Sequence, residues 1–215
     1  MITKRRSFYS YNGERLGNGR SYDLYYAHLD DRNTPLEERL EASDRLVRAG
    51  KVRFIGASNH RTWRLAEARC ISQVNGWAGY CAIEQRHTYL RLRPGASFRY
   101  HVCVDDALLD YCRVHGIALV AYRTLLQGAY TRPDRSIPEQ YIGPDSDARL
   151  AVLNAVAREV GATPNQVVLA WMRQGEPPVL PIVGCSRPEQ LAESLSALEV
   201  ELSQEQMMRL NEAGA

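Results

Sequence analysis

The sequence predicts an α/β fold built on a parallel sheet, and three observations carry the prediction. Short apolar runs suited to strands alternate with segments of helical periodicity from Tyr22 to Ala213, the pattern of strand–helix–strand units. No two of these runs are joined by a tight hairpin turn, so antiparallel pairing is not signalled. The run Ile117-Ala118-Leu119-Val120-Ala121 is apolar throughout, as strands covered on both faces are. An open doubly wound sheet and a closed barrel both satisfy these observations. No Gly-x-Gly-x-x-Gly follows any strand, which argues against a dinucleotide-binding half of the doubly wound kind.

Each element has its own signal. Met1 to Thr3 reads as the tail of a strand, and the Gly- and Asn-rich stretch Ser7 to Ser21 as loop. Tyr22 to Ala27 is aromatic and apolar, hence strand. Thr34-Pro35 opens a helix, with Thr34 as N-cap, Pro35 at the first position and Glu37 in the first turn. Leu36, Leu40, Leu46 and Val47 give that helix its apolar stripe. Gly50 ends it by taking the left-handed conformation, and the strand Val52 to Gly56 follows at once.

Further elements repeat the unit. Thr62 to Val74 is a helix and Gly79 to Glu84 a strand. Asp105 to His115 is a helix closed by Gly116, and Ile117 to Ala121 is a strand ending at Tyr122. Arg123 to Pro144 is a loop of unusual length, which suggests a functional role. Asp145 to Val160 and Pro164 to Arg173 are helices, Val179 to Val183 is the last strand, and helices begin at Pro188 and Leu202.

Bulk properties bound the function. The 215 residues are 45% hydrophobic and 24% charged, enough for one domain over residues 1–215 with a sizeable core. With 27 basic and 25 acidic residues the net charge is +2, so no whole-molecule field favours nucleic acid. Arg86, Arg91, Arg93 and Arg99 read as solvated loop charge, an anion site being the alternative. No apolar run is long enough to span a membrane, and no secretory signal core follows the N-terminal basic residues. The five scattered cysteines fit neither a disulfide framework nor a zinc site. They are expected to be buried and reduced in a cytoplasmic protein. His28 with Asp30 and Asp31, or His101 with Cys103, has no recognised metal spacing, and no metal is expected. His60, His87 and His115 read as surface or loop residues.

The residues that leave the strands share a character. They are His28, Ser58-Asn59, Gln85, Tyr122 and Gly184-Cys185-Ser186. Each is polar, small or aromatic, and in a parallel sheet all lie at the end where ligands bind. Several stretches that contain them resemble the aldo-keto reductases. These are Tyr22-Asp-Leu-Tyr-Tyr-Ala-His28, Thr34-Pro-Leu-Glu-Glu38, Gly50-Lys-Val-Arg-Phe-Ile-Gly-Ala-Ser-Asn59, and Pro181-Ile-Val-Gly-Cys-Ser186 with Glu193 after it.

The resemblance implies a parallel (β/α)8 barrel of the TIM type and NADPH- or NADH-dependent reduction of a small-molecule carbonyl. It implies that His28 orients the carbonyl and that Lys4, after Thr3, is the family's catalytic lysine. It implies that Ser58, Asn59 and Gln85 hold the nicotinamide carboxamide and that Tyr122 stacks on the ring. Gly184, Cys185 and Ser186 would surround the adenosine phosphate, and Glu193 would contact adenine. Gln190 stands where many members carry an arginine for the 2′-phosphate, which weakens any preference for NADPH. Ser194 replaces a usual asparagine, and Arg123-Thr124 a common Ser-Pro.

One departure bears on mechanism. A full barrel takes ~250 residues, and this chain holds about six of its eight units, the first two being missing. Those two carry the family's aspartate and the tyrosine that protonates the carbonyl oxygen. General acid catalysis is worth about 10²–10⁴-fold, so weak turnover is expected unless Tyr9, Tyr11 or Tyr26 substitutes. The alternative is a non-redox relative that binds a small molecule without reductase turnover. An unclosed barrel also leaves parallel edges, from which homo-oligomerisation, or partial closure by the N-terminal segment, is expected.

Overall fold

A computed structural model describes residues 21–214. The strands form where β-branched and aromatic residues cluster between helix stops. They are β1 (Tyr22–Ala27), β2 (Val52–Ser58), β3 (Tyr80–Arg86), β4 (Ala118–Tyr122) and β5 (Val179–Pro181). All neighbours pair in parallel, in the order β1-β2-β3-β4-β5. Strand order therefore follows chain order, as in a winding barrel and unlike a doubly wound sheet. Among the described residues β1 and β5 are the two edges.

Helices return the chain between strands. They are α1 (Leu36–Arg48), α2 (Thr62–Asn75), α3 (Asp106–His115), α4 (Pro144–Glu159), α5 (Pro164–Arg173), α6 (Pro188–Ser196) and α7 (Gln204–Glu212). The stop at Gly50 is the one expected from sequence. Its φ is +66°, its N–H donates to the Val47 carbonyl at 2.9 Å, and the Lys51 N–H reaches back to Leu46 at 3.1 Å. These two bonds satisfy carbonyls that the helix end would leave unpaired, and they turn the chain directly into β2.

The α1 start differs from expectation. Thr34 does not cap; its hydroxyl donates to Asp31 at 2.7 Å, and Pro35 occupies the cap position without a side-chain bond. An aspartate three residues before the expected N-cap competes for the hydroxyl. The strand ends also run further than predicted, β2 to Ser58 and β3 to Arg86. The long loop of 123–143 contains two short 3₁₀ turns, Leu126–Gly128 and Glu139–Tyr141.

The core lies on the helix-covered face of the sheet. Ala57, Ile83, Leu119 and Val179 follow one another across β2 to β5 in register, and all are buried against Leu65, Leu108, Val156 and Val168 of the helices. On the opposite face Phe54 is 52% exposed and Leu180 55%. Tyr26 lies on this face beside Gly56, where an added Cβ would fall 2.7 Å from the phenol ring. The expectation that the thiols are buried holds for Cys112; Cys70, Cys81 and Cys185 are exposed. The residues beside each in sequence gave no sign of which face it would take. No helix among the described residues is long and apolar enough to cross a membrane. Lys4, Tyr9, Tyr11 and the strand expected at Met1 to Thr3 lie outside the described residues.

Candidate active site

The C-terminal ends of β2, β3 and β4 converge on Asn59. Its backbone is left-handed, with φ at +58°, a conformation that asparagine tolerates better than most residues. The turn aims the Asn59 N–H at the Gln85 amide oxygen, 2.7 Å away. Asn59 Nδ2 donates to the His28 carbonyl at 3.2 Å and to Ser58 Oγ at 2.9 Å. Asn59 Oδ1 accepts from the Tyr122 hydroxyl at 2.7 Å and from the Val102 N–H at 3.2 Å. One side chain thus ties together the exits of four strand-end segments.

Gln85 is fully buried. Its oxygen takes the Asn59 N–H, and its nitrogen donates to the His60 carbonyl at 2.6 Å. The sequence left Ser58, Asn59 and Gln85 free to hydrogen-bond a ligand. In the structure Asn59 and Gln85 are engaged with each other and with the main chain, because groups this deeply buried are stable only when paired. Tyr122 keeps a half-buried ring. Its proton goes to Asn59, so His101 Nδ1, 2.9 Å from the same hydroxyl, is the nitrogen that carries hydrogen and donates.

Other groups at this rim were not anticipated from sequence. Glu84 lies in the same register row as Ser58 and Val120. Burial pushes its carboxyl above the usual range, opposed by nearby His28. A carboxylate directly before Gln85, at the end of an apolar run, was the available signal. Tyr26, considered as a replacement acid, is pushed up to about 12 by burial and then by Glu84 and Cys81. That is the wrong direction for a phenol meant to release a proton near neutrality. His28 is exposed at the exit of β1.

His60, expected from sequence to be a surface or loop residue, is completely buried. Its Nδ1 lies 2.8 Å from the Ser58 carbonyl and its Nε2 3.4 Å from the Arg39 guanidinium. Asp30 joins Arg39 at 3.2 Å and Arg64 at 3.3 Å beneath it. This cluster braces the end of β2 from below the rim.

The second half of the predicted site lies after β5, next to β4. The Gly184-to-Ser186 loop leads into α6. Gln190 Oε1 accepts from the Ser186 N–H at 2.9 Å and from the Arg187 N–H at 3.2 Å. Gln190 therefore occupies the N–H groups that an anion would use at a helix start. An added Cβ at Gly184 meets nothing within 4 Å, so the loop has open space beside it. Glu193 points elsewhere: it accepts from Thr163 Oγ1 at 2.7 Å and lies 3.4 Å from Asn165 Nδ2. The structure thus gathers Ser58, Asn59, Gln85 and Tyr122 in one network and Ser186 and Gln190 in another, with Gly184 and Cys185 on the loop just before it. It leaves Glu193 turned toward the α4–α5 connection.

The donor set fits a nicotinamide dinucleotide on these terms. The α6 start offers N–H donors held by a neutral, half-buried amide that an anion can displace. The Asn59 end fits when a carboxamide takes the place of one internal bond. Among the described residues no cluster of His, Cys, Asp and Glu could hold a metal ion.

A parallel α/β sheet whose strand ends carry this rim is part of a TIM-barrel type of fold, with its polar groups on the face where such barrels place their sites. Residues 13–215 match the model of the aldo/keto reductase family, and the chain belongs to that family. It is 31% identical over 212 residues to an aldo-keto reductase of Gibberella moniliformis, covering 90% of this chain and 58% of that protein. It is 27% identical to versiconal hemiacetal acetate reductase of Aspergillus parasiticus, covering 93% of this chain and 58% of that one. A thermostable aldo-keto reductase crystallised with the inhibitor epalrestat superposes with a TM-score of 0.69 at 31% identity, covering 89% of this chain and 59% of that structure. The chain spans less than three-fifths of the length of these relatives.

Proposed function

We propose that this chain binds NADPH or NADH and takes part in reducing the carbonyl of a small molecule. The observation that supports this best is Asn59, hydrogen-bonded to both Gln85 and Tyr122 at the ends of adjacent strands. When bound, the cofactor supplies a hydride. Tyr122 presents its ring as a platform for a flat heterocycle, held in place by the bonds of its hydroxyl to Asn59 and His101. Ser58, Asn59 and Gln85 orient the carboxamide, and the N–H groups of Gly184 to Arg187 receive the phosphates once Gln190 swings aside. Gln190 is uncharged, so the reading favours neither NADPH nor NADH. His28 orients the carbonyl, and Glu84 beside it holds a proton more readily than an exposed carboxylate. Lys4 keeps the role the family resemblance gives it. Exposed Cys70, Cys81 and Cys185 suit the reducing environment of the cytoplasm.

Titration with NADPH and NADH, followed by tryptophan fluorescence, tests the reading. Saturable quenching is expected. Tyr122→Ala should weaken it roughly tenfold, since aromatic stacking contributes about 0.5–1.5 kcal/mol beyond the area it buries. Tyr122→Phe should weaken it less. The saturated bonds of Asn59 and Gln85 favour one other reading, a family member that binds a small molecule without redox turnover. Absence of quenching at millimolar cofactor would select that one.

We also propose that the chain self-associates through the β1 and β5 edges of the described sheet. Sedimentation should show a dimer or larger species at micromolar concentration, and a monodisperse monomer would exclude the pairing.

A further inference from the structure

We propose that this chain carries a second binding site, separate from the cofactor rim, that takes an aromatic carboxylate. The inference is independent of the cofactor reading. The site is a cavity of about 710 Å³ on the helix side of the sheet. It lies under the 86–105 segment, against Leu109 of α3, Trp171 and Met172 of α5, and Arg149 of α4. Its size is that of an ordinary small-molecule pocket. Ser58, Asn59, Gln85, Tyr122 and Gly184 do not line it.

Five arginines line it, and the two buried ones define its chemistry. Arg86 is 7% exposed and Arg149 2%. Arg86 Nε donates to the Tyr141 hydroxyl at 3.0 Å, and its plane lies 3.7 Å over the Phe98 ring. Arg149 donates to the Tyr89 carbonyl at 3.0 Å and the Ala213 carbonyl at 2.9 Å, and it lies 4.2 Å from the centre of the Tyr89 ring. Neither has a carboxylate within ion-pair distance among the described residues. Desolvating a cation costs several kcal/mol, so buried cations are normally paired. The acids that line the cavity do not serve: Asp105, Asp106 and Glu176 are all exposed, and Asp105 is already bonded to the Leu108 N–H as the cap of α3.

His87 adds no charge. Burial, and after it Arg149, lowers its imidazole to about 4, and it stacks 5.5 Å from Trp171. A carboxylate complements the unpaired cations, because a guanidinium holds it through two parallel bonds. The walls of Phe98, Tyr141 and Trp171 complement a flat aromatic body. His101 and Val102 belong both to this cavity and to the bonds that hold Tyr122 and Asn59. A ligand here would therefore touch the wall of the cofactor rim without entering it.

Calorimetric titration of the full chain with benzoate, benzamide and inorganic phosphate tests the site. Benzoate should bind saturably and benzamide at least tenfold more weakly, since charge-assisted bonds are the stronger kind. Arg86→Gln should weaken benzoate at least tenfold. Leu109→Trp, which adds bulk to the cavity wall, should do the same and stands in if Arg86→Gln does not fold. Trp171→Phe should remove any fluorescence change while calorimetric binding persists. Benzoate that does not bind at millimolar concentration, or that binds both folded variants as well as the parent, overturns the proposal. So does preference for phosphate over benzoate.

Discussion

Replacing Asn59 with alanine is expected to destabilise the protein by about 3 kcal/mol, with loss of cofactor-induced quenching. The alanine removes the acceptor for the Tyr122 hydroxyl and the Val102 N–H, and the donor to the His28 carbonyl. Leaving a buried polar group unpaired costs about 1–3 kcal/mol, which is more than the bond itself contributes. A side chain without asparagine's local hydrogen bonding also fits the left-handed backbone poorly, by roughly 1–2 kcal/mol. Asn59→Gly separates the two effects, because glycine removes the backbone cost and keeps the side-chain loss. It should therefore fall between alanine and the parent. In thermal melts a domain of this size loses about 2–4 °C per kcal/mol. An Asn59→Ala protein that melts with the parent would show that Asn59 does not hold the rim together.

The same residue shows how far the sequence could be read. Gly50 and the apolar run after it fix where a helix ends and a strand begins, and such local signals placed each strand of the described residues to within about two residues at either end. They also put Asn59, Gln85 and Tyr122 at strand ends, since parallel pairing sends all those ends to one side. What the sequence could not show is who satisfies whom. Gln85 and Asn59 could have faced outward to a ligand. Their bonds to one another depend on the register of β2 against β3, which is a long-range property.

The loop after β3 posed the same difficulty. Arg91, Arg93 and Arg99 are exposed, as solvated loop charges should be. Arg86 belongs to the same run and is buried, because Phe98 and Tyr141 fold over it from 12 and 55 residues away. His60 follows an exposed-looking Ser-Asn pair and is the most enclosed imidazole at the rim. Its burial comes from Asp30, Arg39 and Arg64, which lie on three other segments. Charge patterns along the chain do not reveal such three-dimensional neighbours.

Stability is expected to fall steeply with acid between about pH 6.5 and pH 4, with His60 as a principal cause. Burial is the largest influence that lowers the His60 imidazole, to about 4; its bond to the Ser58 carbonyl and the charge of Asp30 oppose the shift, and Arg39 and Arg64 add to it. The geometry agrees with a neutral ring. Nδ1–H donates to the Ser58 carbonyl, which leaves Nε2 to accept from Arg39. A proton on Nε2 would face that guanidinium. In the unfolded chain the imidazole titrates near 6.5. Below that value the unfolded state binds a proton that the folded state refuses, so stability declines as pH falls. It levels off once the folded protein can also be protonated, near pH 4. The slope from this one group approaches about 1.4 kcal/mol per pH unit. His87 shifts in the same direction and should steepen it. Urea midpoints measured from pH 7.5 to 4.5 would show the decline. His60→Asn, which can still donate to Ser58 without titrating, should flatten it. An unchanged pH profile in that variant would remove His60 as the cause.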